Sequence, residues 1–391
     1  MSSTAIHPFI FSTTASVVFR VGASAELGPV AGSRLGKRVL FVTDPGLRAL
    51  GLCDPAIASL EAEGAAVTVF DAVEADPSLA TLMTCVEAGR EAVATSVVGF
   101  GGGSSLDVAK LAALLLGSCE ELATAWGVGN AKGPRLPLVL VPTTAGTGSE
   151  VTPVSIITVG EEEKRGVSSP IILPDIAVLD PGLTIGLPAA ITAATGIDAM
   201  VHAIEAYASK NANNNPVSRI LAREALRLLA ANIEKAVFDG KDLAARSAML
   251  LGSMLAGQAF ANSPVAAVHA LAYPIGGSFH VPHGLSNALV LPHVLRFNAP
   301  EAASLYAEIA GDCFPDLDRE EGVQGRCAAF IDALAQLSAK VGLQQRLRDV
   351  GIGEADLEKM AADAMKQQRL LVNNPRAVTQ ADALAIYRAA W

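Results

Sequence analysis

Residues 98–115 have the sequence VGFGGGSSLDVAKLAALL, in which an apolar strand runs into three consecutive glycines and then into a helix. Glycines at such a turn let the backbone approach a pyrophosphate, whose charge is favoured by the N–H groups at a helix start. The spacing is neither GxGxxG nor that of a Walker loop, so a tight turn that needs glycine for its own conformation is an equally good interpretation. The stretch predicts a strand-to-helix turn of a parallel sheet and a candidate phosphate site.

Apolar runs rich in β-branched residues alternate with Ala/Leu-rich segments throughout the first half of the chain. These runs cover residues 37–44, 65–73, 95–105 and 136–144. The alternation is typical of βαβ units and predicts a Rossmann-like parallel sheet. We also expect residues 15–23 to form one strand of a hairpin, residues 154–173 to form a second hairpin, and residues 174–181 to form the last strand.

From about residue 186 the apolar residues recur at helical spacing. The predicted helices cover residues 196–210, 216–237, 242–261, 264–276, 326–341, 354–368 and 380–390. Ser263 and Pro264 are expected to begin one helix, and Thr379 with Asp382 to form a capping box for the last. The predicted fold is α/β followed by all-α: a dinucleotide-binding domain over residues 1–185 and a helical metal-binding and catalytic domain over residues 186–391.

Composition narrows the class of protein. The chain has 391 residues, 51% hydrophobic and 17% charged, with a formal net charge of −10. This length favours two domains, and the apolar composition favours a homodimer or larger homo-oligomer. The negative charge opposes nucleic acid and anionic membranes as partners, so a small-molecule substrate is expected.

The chain has an odd number of cysteines, and none of them form a CxxC pair; they are Cys53, Cys85, Cys119, Cys313 and Cys327. Neither a disulfide framework nor a thiolate zinc site is indicated, and we expect reduced structural thiols. The opening MSSTAIHPFIFST lacks the pattern of a signal peptide, and no apolar stretch is long enough to span a bilayer. A cytoplasmic protein is therefore expected.

A second polar loop, VPTTAGTGSEVTP at residues 141–153, follows the next predicted strand. Ligands of parallel α/β sheets bind outside the carboxyl ends of the strands, where both loops are expected to lie. Asp44, at the end of the first parallel strand, could accept hydrogen bonds from ribose hydroxyls and repel a 2′-phosphate, which favours NAD over NADP. Its alternative role is that of a turn residue before Pro45 and Gly46.

The most informative helix, TGIDAMVHAIEAYAS at residues 195–209, places Asp198 and His202 four residues apart on one face, where both can bind one ion. Farther along lie His269, His280, His283 and His293, so five of the six histidines fall between residues 202 and 293. A single histidine on an apolar helix is more often a hydrogen-bonded core residue, but the set favours a metal site. Imidazoles with a carboxylate suit Fe(II) or Zn(II).

These segments resemble the iron-activated, or group III, alcohol dehydrogenases. The shared motifs are GGGSSLDVAK, PTTAGTGSEVTP, LPDIAVLDP, GIDAMVHAIEAY, HALAYPIGG, PHGLSNALVLPHV and NNPRAVTQADALAIYRAA. The resemblance implies a dehydroquinate synthase-like fold, the cofactor NAD and one divalent metal, with Fe(II) preferred over Zn(II). By motif, the metal ligands would be Asp198, His202, His269 and His283. The cofactor contacts would be Asp44, Gly102, Gly103, Ser104, Asp107, Thr143, Thr144, Thr147 and Lys164.

One position departs from the family pattern. Many members have a second histidine four residues after the third ligand, where this chain has Tyr273. The phenol could orient the substrate or donate a hydrogen bond, and an equally good interpretation is a packing aromatic. Proton transfer would then run through His280, a water chain or the cofactor ribose.

The function predicted is a metal-dependent NAD(H) alcohol dehydrogenase that interconverts an alcohol and an aldehyde or ketone by hydride transfer. A maleylacetate or hydroxyacid/oxoacid reductase of the same superfamily is the alternative, although no arginine stands out in the motifs of the helical half. Two further classes stay open at this point: a lyase related to dehydroquinate synthase and a non-enzymatic binding module.

Overall fold

A computed structural model describes residues 7–118, 120–160, 163–319 and 322–391. The chain separates into two compact units. One covers Thr13–Gly186, and the other covers Leu187–Trp391 together with residues 7–12 of the described chain.

The first unit is built on a six-stranded sheet in which every pair of neighbouring strands is parallel. Its strand order is β1-β9-β6-β4-β2-β3, and a smaller sheet has the order β5-β8-β7. The strands are β1 Ser16–Phe19, β2 Arg38–Val42, β3 Ala66–Phe70, β4 Ser96–Gly101, β5 Gly127–Val128, β6 Leu138–Pro142, β7 Val154–Val159, β8 Glu163–Ser168 and β9 Ile176–Leu179. The runs of β-branched residues thus form the parallel sheet, as predicted.

Helices cover both faces of this sheet. They are α1 Leu27–Ala31, α2 Pro45–Ala49, α3 Asp54–Ala62, α4 Leu79–Glu91, α5 Gly103–Ser118 and α6 Leu122–Ala125. One buried cluster packs α4 and α5 against alternate side chains such as Leu40 and Leu138, and the other packs α1 and α3 against Phe41 and Val139. Side chains of successive strand residues point to opposite faces, which is why the central strands are apolar without interruption.

The first strand, β1, was predicted with the wrong pairing partner. Residues 15–23 do not form a hairpin, because β1 pairs in parallel with β9, with Ser16 opposite Ile176. Strand identity is a local property, whereas pairing depends on residues far along the chain. The second predicted hairpin is confirmed, since β7 and β8 pair antiparallel with Val159 opposite Glu163.

The second unit is helical. Its helices are α7 Ala189–Ala208, α8 Pro216–Phe238, α9 Leu243–Asn262, α10 Ala267–Phe279, α11 His283–Cys313, α12 Val323–Lys340, α13 Leu357–Ala364, α14 Gln368–Leu371 and α15 Gln380–Ala390. The capping box of Thr379 and Asp382 at the start of α15 is confirmed. The predicted start at Ser263 and Pro264 is wrong, because α10 begins at Ala267 after Ala266.

Two further features follow from the described residues. Cys53, Cys85, Cys313 and Cys327 are buried and free of disulfides, whereas Cys119 lies outside the described part of the chain. None of the described helices is both long and apolar enough to cross a membrane.

Candidate functional site

Four side chains of the helical unit bring their donor atoms together. Asp198 and His202 come from α7, His269 from α10, and His283 is the first residue of α11; one donor atom of each lies within 4.8 Å of the others. The Nε2 atoms of His269 and His283 lie 3.9 and 3.7 Å from Oδ1 of Asp198. Two donors that bind one ion at about 2.0–2.2 Å can lie up to about 4.4 Å apart. The two distances to Asp198 are below this limit, so these donors have the spacing of a single-ion site.

The local sequence explains this convergence. Asp198 and His202 are one turn apart on a helix that is buried almost throughout its second half. Gly284, directly after His283, lets the start of α11 approach α7, because a Cβ at this position would lie 2.4 Å from the carbonyl oxygen of Ala194. His283 can therefore reach Asp198 only because its neighbour has no side chain.

Glu205 fixes the orientation of His269. Its Oε2 lies 2.7 Å from Nδ1 of His269 and accepts from the backbone N–H of Ala266, while its Oε1 accepts from the N–H of Val268. With both oxygens acting as acceptors, Nδ1 is the donor, so Nε2 of His269 presents its lone pair to the group. Sequence reasoning missed Glu205, although it stands three residues after His202 on the same helix.

Asn287 holds the carboxylate of Asp198 in place, as Glu205 holds the ring of His269. Its Nδ2 donates to Oδ1 of Asp198 at 2.6 Å and lies 3.3 Å from Nε2 of His283. Burial raises the pKa of Asp198, but the three histidines around it and the hydrogen bond from Asn287 outweigh burial, so the pKa is lowered below its ordinary value. Asp198 is thus an anion in a buried site, and a cation would offset its charge.

The residues fit a divalent metal ion. Nε2 of His269 is buried and has no hydrogen-bond partner among the described residues, while Nδ1 of the same ring is already bonded. A buried imidazole nitrogen without a partner is costly unless a ligand satisfies it. A carboxylate with three imidazoles is a donor set that suits Fe(II) or Zn(II).

The two side chains predicted for proton transfer differ in their surroundings. The Tyr273 ring lies 6.2 Å from the His283 ring, measured between centroids. His280 is exposed and ends α10 in the left-handed conformation, with φ of 55°. Arg369, which sequence reasoning missed, donates from Nη2 to the Tyr273 hydroxyl at 3.1 Å. These two residues are 96 positions apart, so nothing in the local sequence signals the contact.

The two polar loops of the α/β unit pack against each other. Thr143 donates its backbone N–H to the carbonyl oxygen of Gly101 at 3.0 Å. A Cβ on Gly103 would lie 2.9 Å from the methyl group of Thr147, so the loops could not approach this closely with a larger residue. Thr143 is buried, and the partly exposed candidates on the two loops are Gly102, Gly103, Ser104, Thr144 and Thr147.

Asp107 belongs to a buried polar network. Its Oδ1 accepts from the Ser149 hydroxyl at 2.6 Å, and its Oδ2 accepts from the backbone N–H of Ile156 at 2.8 Å. Lys110 is fully buried and donates to Ser149 at 2.7 Å and to the carbonyl oxygen of Val154 at 2.7 Å. Both oxygens of Asp107 are therefore engaged within the protein, and the network joins α5 to the second loop.

The last two predicted cofactor residues have protein partners of their own. Asp44 caps α2, since its Oδ1 accepts from the Leu47 N–H at 2.9 Å. Lys164 lies on β8 and bonds to Asp76 at 2.8 Å and to the Thr158 hydroxyl at 2.9 Å.

Comparison with known proteins gives a consistent result. A family model described as iron-containing alcohol dehydrogenase matches residues 14–181, and one described as the C-terminal part of the Fe-containing alcohol dehydrogenase family matches residues 192–391. Long-chain-alcohol dehydrogenase 1 of Geobacillus thermodenitrificans is 42% identical over 95% of this chain and 93% of its own.

Solved structures of similar proteins also indicate this family. A 1,3-propanediol oxidoreductase has a TM-score of 0.94 and 36% identity, covering 98% of this chain and 100% of that one. Sulfoacetaldehyde reductase of Bifidobacterium kashiwanohense, solved with NAD+, has a TM-score of 0.86 and 28% identity, covering 98% of both chains. The chain belongs to the iron-containing alcohol dehydrogenase family and is an oxidoreductase that acts on CH–OH groups.

Proposed function

We propose that the chain interconverts a small alcohol and its aldehyde or ketone by hydride transfer to or from NAD. One divalent ion takes part, held by Asp198, His202, His269 and His283. The observation that carries this proposal is the convergence of these four donor atoms within 4.8 Å. The family's name favours Fe(II), and Zn(II) is the second candidate. When bound, such an ion stabilises negative charge on the oxygen of the alcohol or carbonyl.

The protein's own groups prepare this site. Glu205 keeps the proton of His269 on Nδ1, and Asn287 holds the carboxylate of Asp198 in place. The phenol of Tyr273, near His283, can donate a hydrogen bond to a substrate oxygen. His280, exposed beyond the end of α10, is the imidazole proposed to exchange the proton with solvent.

For the cofactor, we propose that residues 1–185 bind the dinucleotide and residues 186–391 supply the catalytic groups. The pyrophosphate is assigned to the N–H groups at the start of α5. The side chains assigned to cofactor contact are Asp44, Ser104, Thr143, Thr144, Thr147 and Lys164, with Gly102 and Gly103 giving close backbone approach. Asp107 supports these loops through Ser149. Asp44 uses Oδ1 as a helix cap, which leaves Oδ2 for a ribose hydroxyl and favours NAD over NADP.

The names of relatives bear on the substrate. Long-chain-alcohol dehydrogenase 1 is 42% identical to this chain, and the 1,3-propanediol dehydrogenase of Citrobacter freundii is 39% identical. We therefore take primary alcohols and diols as substrates in preference to maleylacetate or a 2-oxoacid. Assembly into a homodimer or larger oligomer stays a prediction from composition.

The experiment measures NADH formed from a panel of alcohols, with metal-depleted protein and after addition of Fe(II) under anaerobic conditions or of Zn(II). Turnover is expected to require the ion, and His269→Ala is expected to abolish turnover while NAD binding persists. Net accumulation of NADH would exclude a lyase that recycles its cofactor. Full turnover without metal, or in His269→Ala, would refute the proposal.

A further inference from the structure

We propose that Arg369 and Tyr273 form a subsite for an oxyanion at the far end of the substrate. The substrate class is then a short alcohol or aldehyde whose reacting carbon is separated from a terminal carboxylate or sulfonate. This inference rests on the proposed function, since it names the substrate of the same site.

The candidate metal group is open on one side. Asp198 and His269 have side chains that are only 3% and 4% exposed, whereas the His283 side chain is 41% exposed. A substrate therefore reaches the group past His283. The ring of Tyr273 lies on that side, 6.2 Å from the His283 ring and one helical turn beyond His269 on α10.

Arg369 extends this surface with a positive charge. Its Nη2 donates to the Tyr273 hydroxyl at 3.1 Å, and its guanidinium carbon lies 5.8 Å from the centre of the Tyr273 ring. The side chain is exposed, and no carboxylate of the described residues lies within ion-pair distance of it. A guanidinium has five N–H donors in a planar fork that matches a carboxylate, so donors remain for a ligand.

The buried Asn373 holds the backbone of Arg369 in place. Its carbonyl oxygen accepts from Nδ2 of the buried Asn373 at 3.0 Å, and the same Nδ2 donates to the carbonyl oxygen of Val265 at 3.0 Å. Val265 stands two residues before α10, the helix that carries His269 and Tyr273. The short segment that carries the guanidinium is thereby joined to the helix that carries the candidate ligand.

Arg369 places a positive charge beside Tyr273 in a chain whose formal net charge is −10. Arg223 and Arg296 of the same unit are each paired with a carboxylate, that of Asp312 and that of Asp332. Arg369 instead contacts a neutral phenol, which adds a second hydrogen-bond donor or acceptor beside the cation. A cation without an anionic partner, next to a phenol at the open side of the site, is suited to an oxyanion of the substrate.

The experiment compares NADH-linked reduction of butanal with reduction of short aldehydes that carry a terminal carboxylate or sulfonate. The quantity measured is the ratio of kcat/KM for the anionic aldehyde to that for butanal. Because a hydrogen bond to a charged group contributes about 1.5–3 kcal/mol, Arg369→Gln should lower this ratio about tenfold or more. Arg369→Lys should retain part of it, and Arg319→Gln, which removes an exposed arginine of the same unit, should leave it unchanged.

Three outcomes would overturn the subsite: an unchanged ratio in Arg369→Gln, an equal fall in Arg319→Gln, or a loss confined to NADH affinity, which would make Arg369 a cofactor contact. If the wild-type protein reduces none of the aldehydes, the proposed function fails by itself. The subsite is then decided by saturation-transfer NMR with butanoate: binding lost in Arg369→Gln supports it, and binding that persists refutes it.

Discussion

Oε2 of Glu205 lies 2.7 Å from Nδ1 of His269, and the same carboxylate accepts the backbone N–H groups of Ala266 and Val268 at the start of α10. One side chain of α7 therefore sets both the tautomer of a candidate ligand and the position of the helix that carries it. Such outer partners typically change metal affinity by about 10- to 100-fold when they are removed.

Glu205→Gln should accordingly lower the affinity for Zn(II) or Fe(II) by about tenfold or more, because the amide is a weaker acceptor for the imidazole N–H. Competition with a chromophoric chelator measures this affinity. Glu234→Gln, which changes a carboxylate paired with Lys340 at the surface of the same unit, is the matched control. Equal affinities in wild type and Glu205→Gln would show that the contact does not support a ligand.

The Asp44 cap allows a clean test of cofactor preference. Asp44→Ser removes the charge but keeps a side chain that caps helices about as well. We expect kcat/KM for NADP relative to NAD to rise about tenfold, since a carboxylate near a 2′-phosphate is repulsive. Steady-state kinetics with both cofactors measures the ratio, and thermal unfolding checks that the cap is retained. A ratio that does not move would remove Asp44 from the cofactor site.

The network around Lys110 predicts that its loss affects only the α/β unit, Thr13–Gly186. Lys110→Met removes the buried cation that lies 3.6 Å from Asp107, whose side chain is 15% exposed, and breaking a buried pair typically costs about 3–5 kcal/mol. We expect a lower Tm and weaker NAD binding, because the loop at residues 141–153 loses its anchor at Ser149.

Metal binding by the helical unit should stay intact in this variant, since none of the four candidate ligands belongs to the network. Titrations of NAD and of Zn(II) on the same preparation separate the two effects. Parallel losses of both would contradict the local role of Lys110.

Glu150 predicts a pH dependence of stability. Burial raises the pKa of this carboxyl from 4.5 to about 7. The folded protein therefore holds the proton more tightly than the unfolded chain, so this contribution to stability is complete below about pH 4.5 and is lost as the pH rises to about 7. Glu150→Gln cannot ionise, and its Tm relative to wild type should increase between about pH 5 and pH 8.

Thermal unfolding at several pH values in this window measures the difference. Glu87→Gln, an exposed carboxylate of the same unit, should show no such trend. A Tm difference between Glu150→Gln and wild type that is constant with pH would contradict the account.

Sequence patterns predicted the local elements well because strands and helices carry their own periodicity. β2, β3, β4 and β6 were recognised from apolar runs, and α8 and α15 began at the predicted residues. The helix at His283–Cys313 was not among the helices predicted from periodicity. Pro292 and Pro300 lie inside it, and prolines usually end a helix. The neighbours of α11 supply the packing that keeps it continuous.

The residues of the candidate site likewise include some that local sequence spacing could reveal and some that only contacts between distant segments reveal. The spacing of Asp198 and His202 on one helix could be seen in the sequence, and the family motifs added His269 and His283. Arg369 could not be predicted, because its contact with Tyr273 joins segments far apart in the chain. Glu205 and Asn287 did leave a signal that was overlooked: each lies one turn from a candidate ligand on the same helix, three residues after His202 and four after His283.

The measurement closest to the central claim is anaerobic titration of metal-depleted protein with Fe(II) or Zn(II), followed by X-ray absorption spectroscopy at the metal edge. We predict one ion per chain with only nitrogen and oxygen ligands, and loss of this binding in His269→Ala. Sulfur in the coordination sphere, or undiminished stoichiometric binding in His269→Ala, would contradict the assignment.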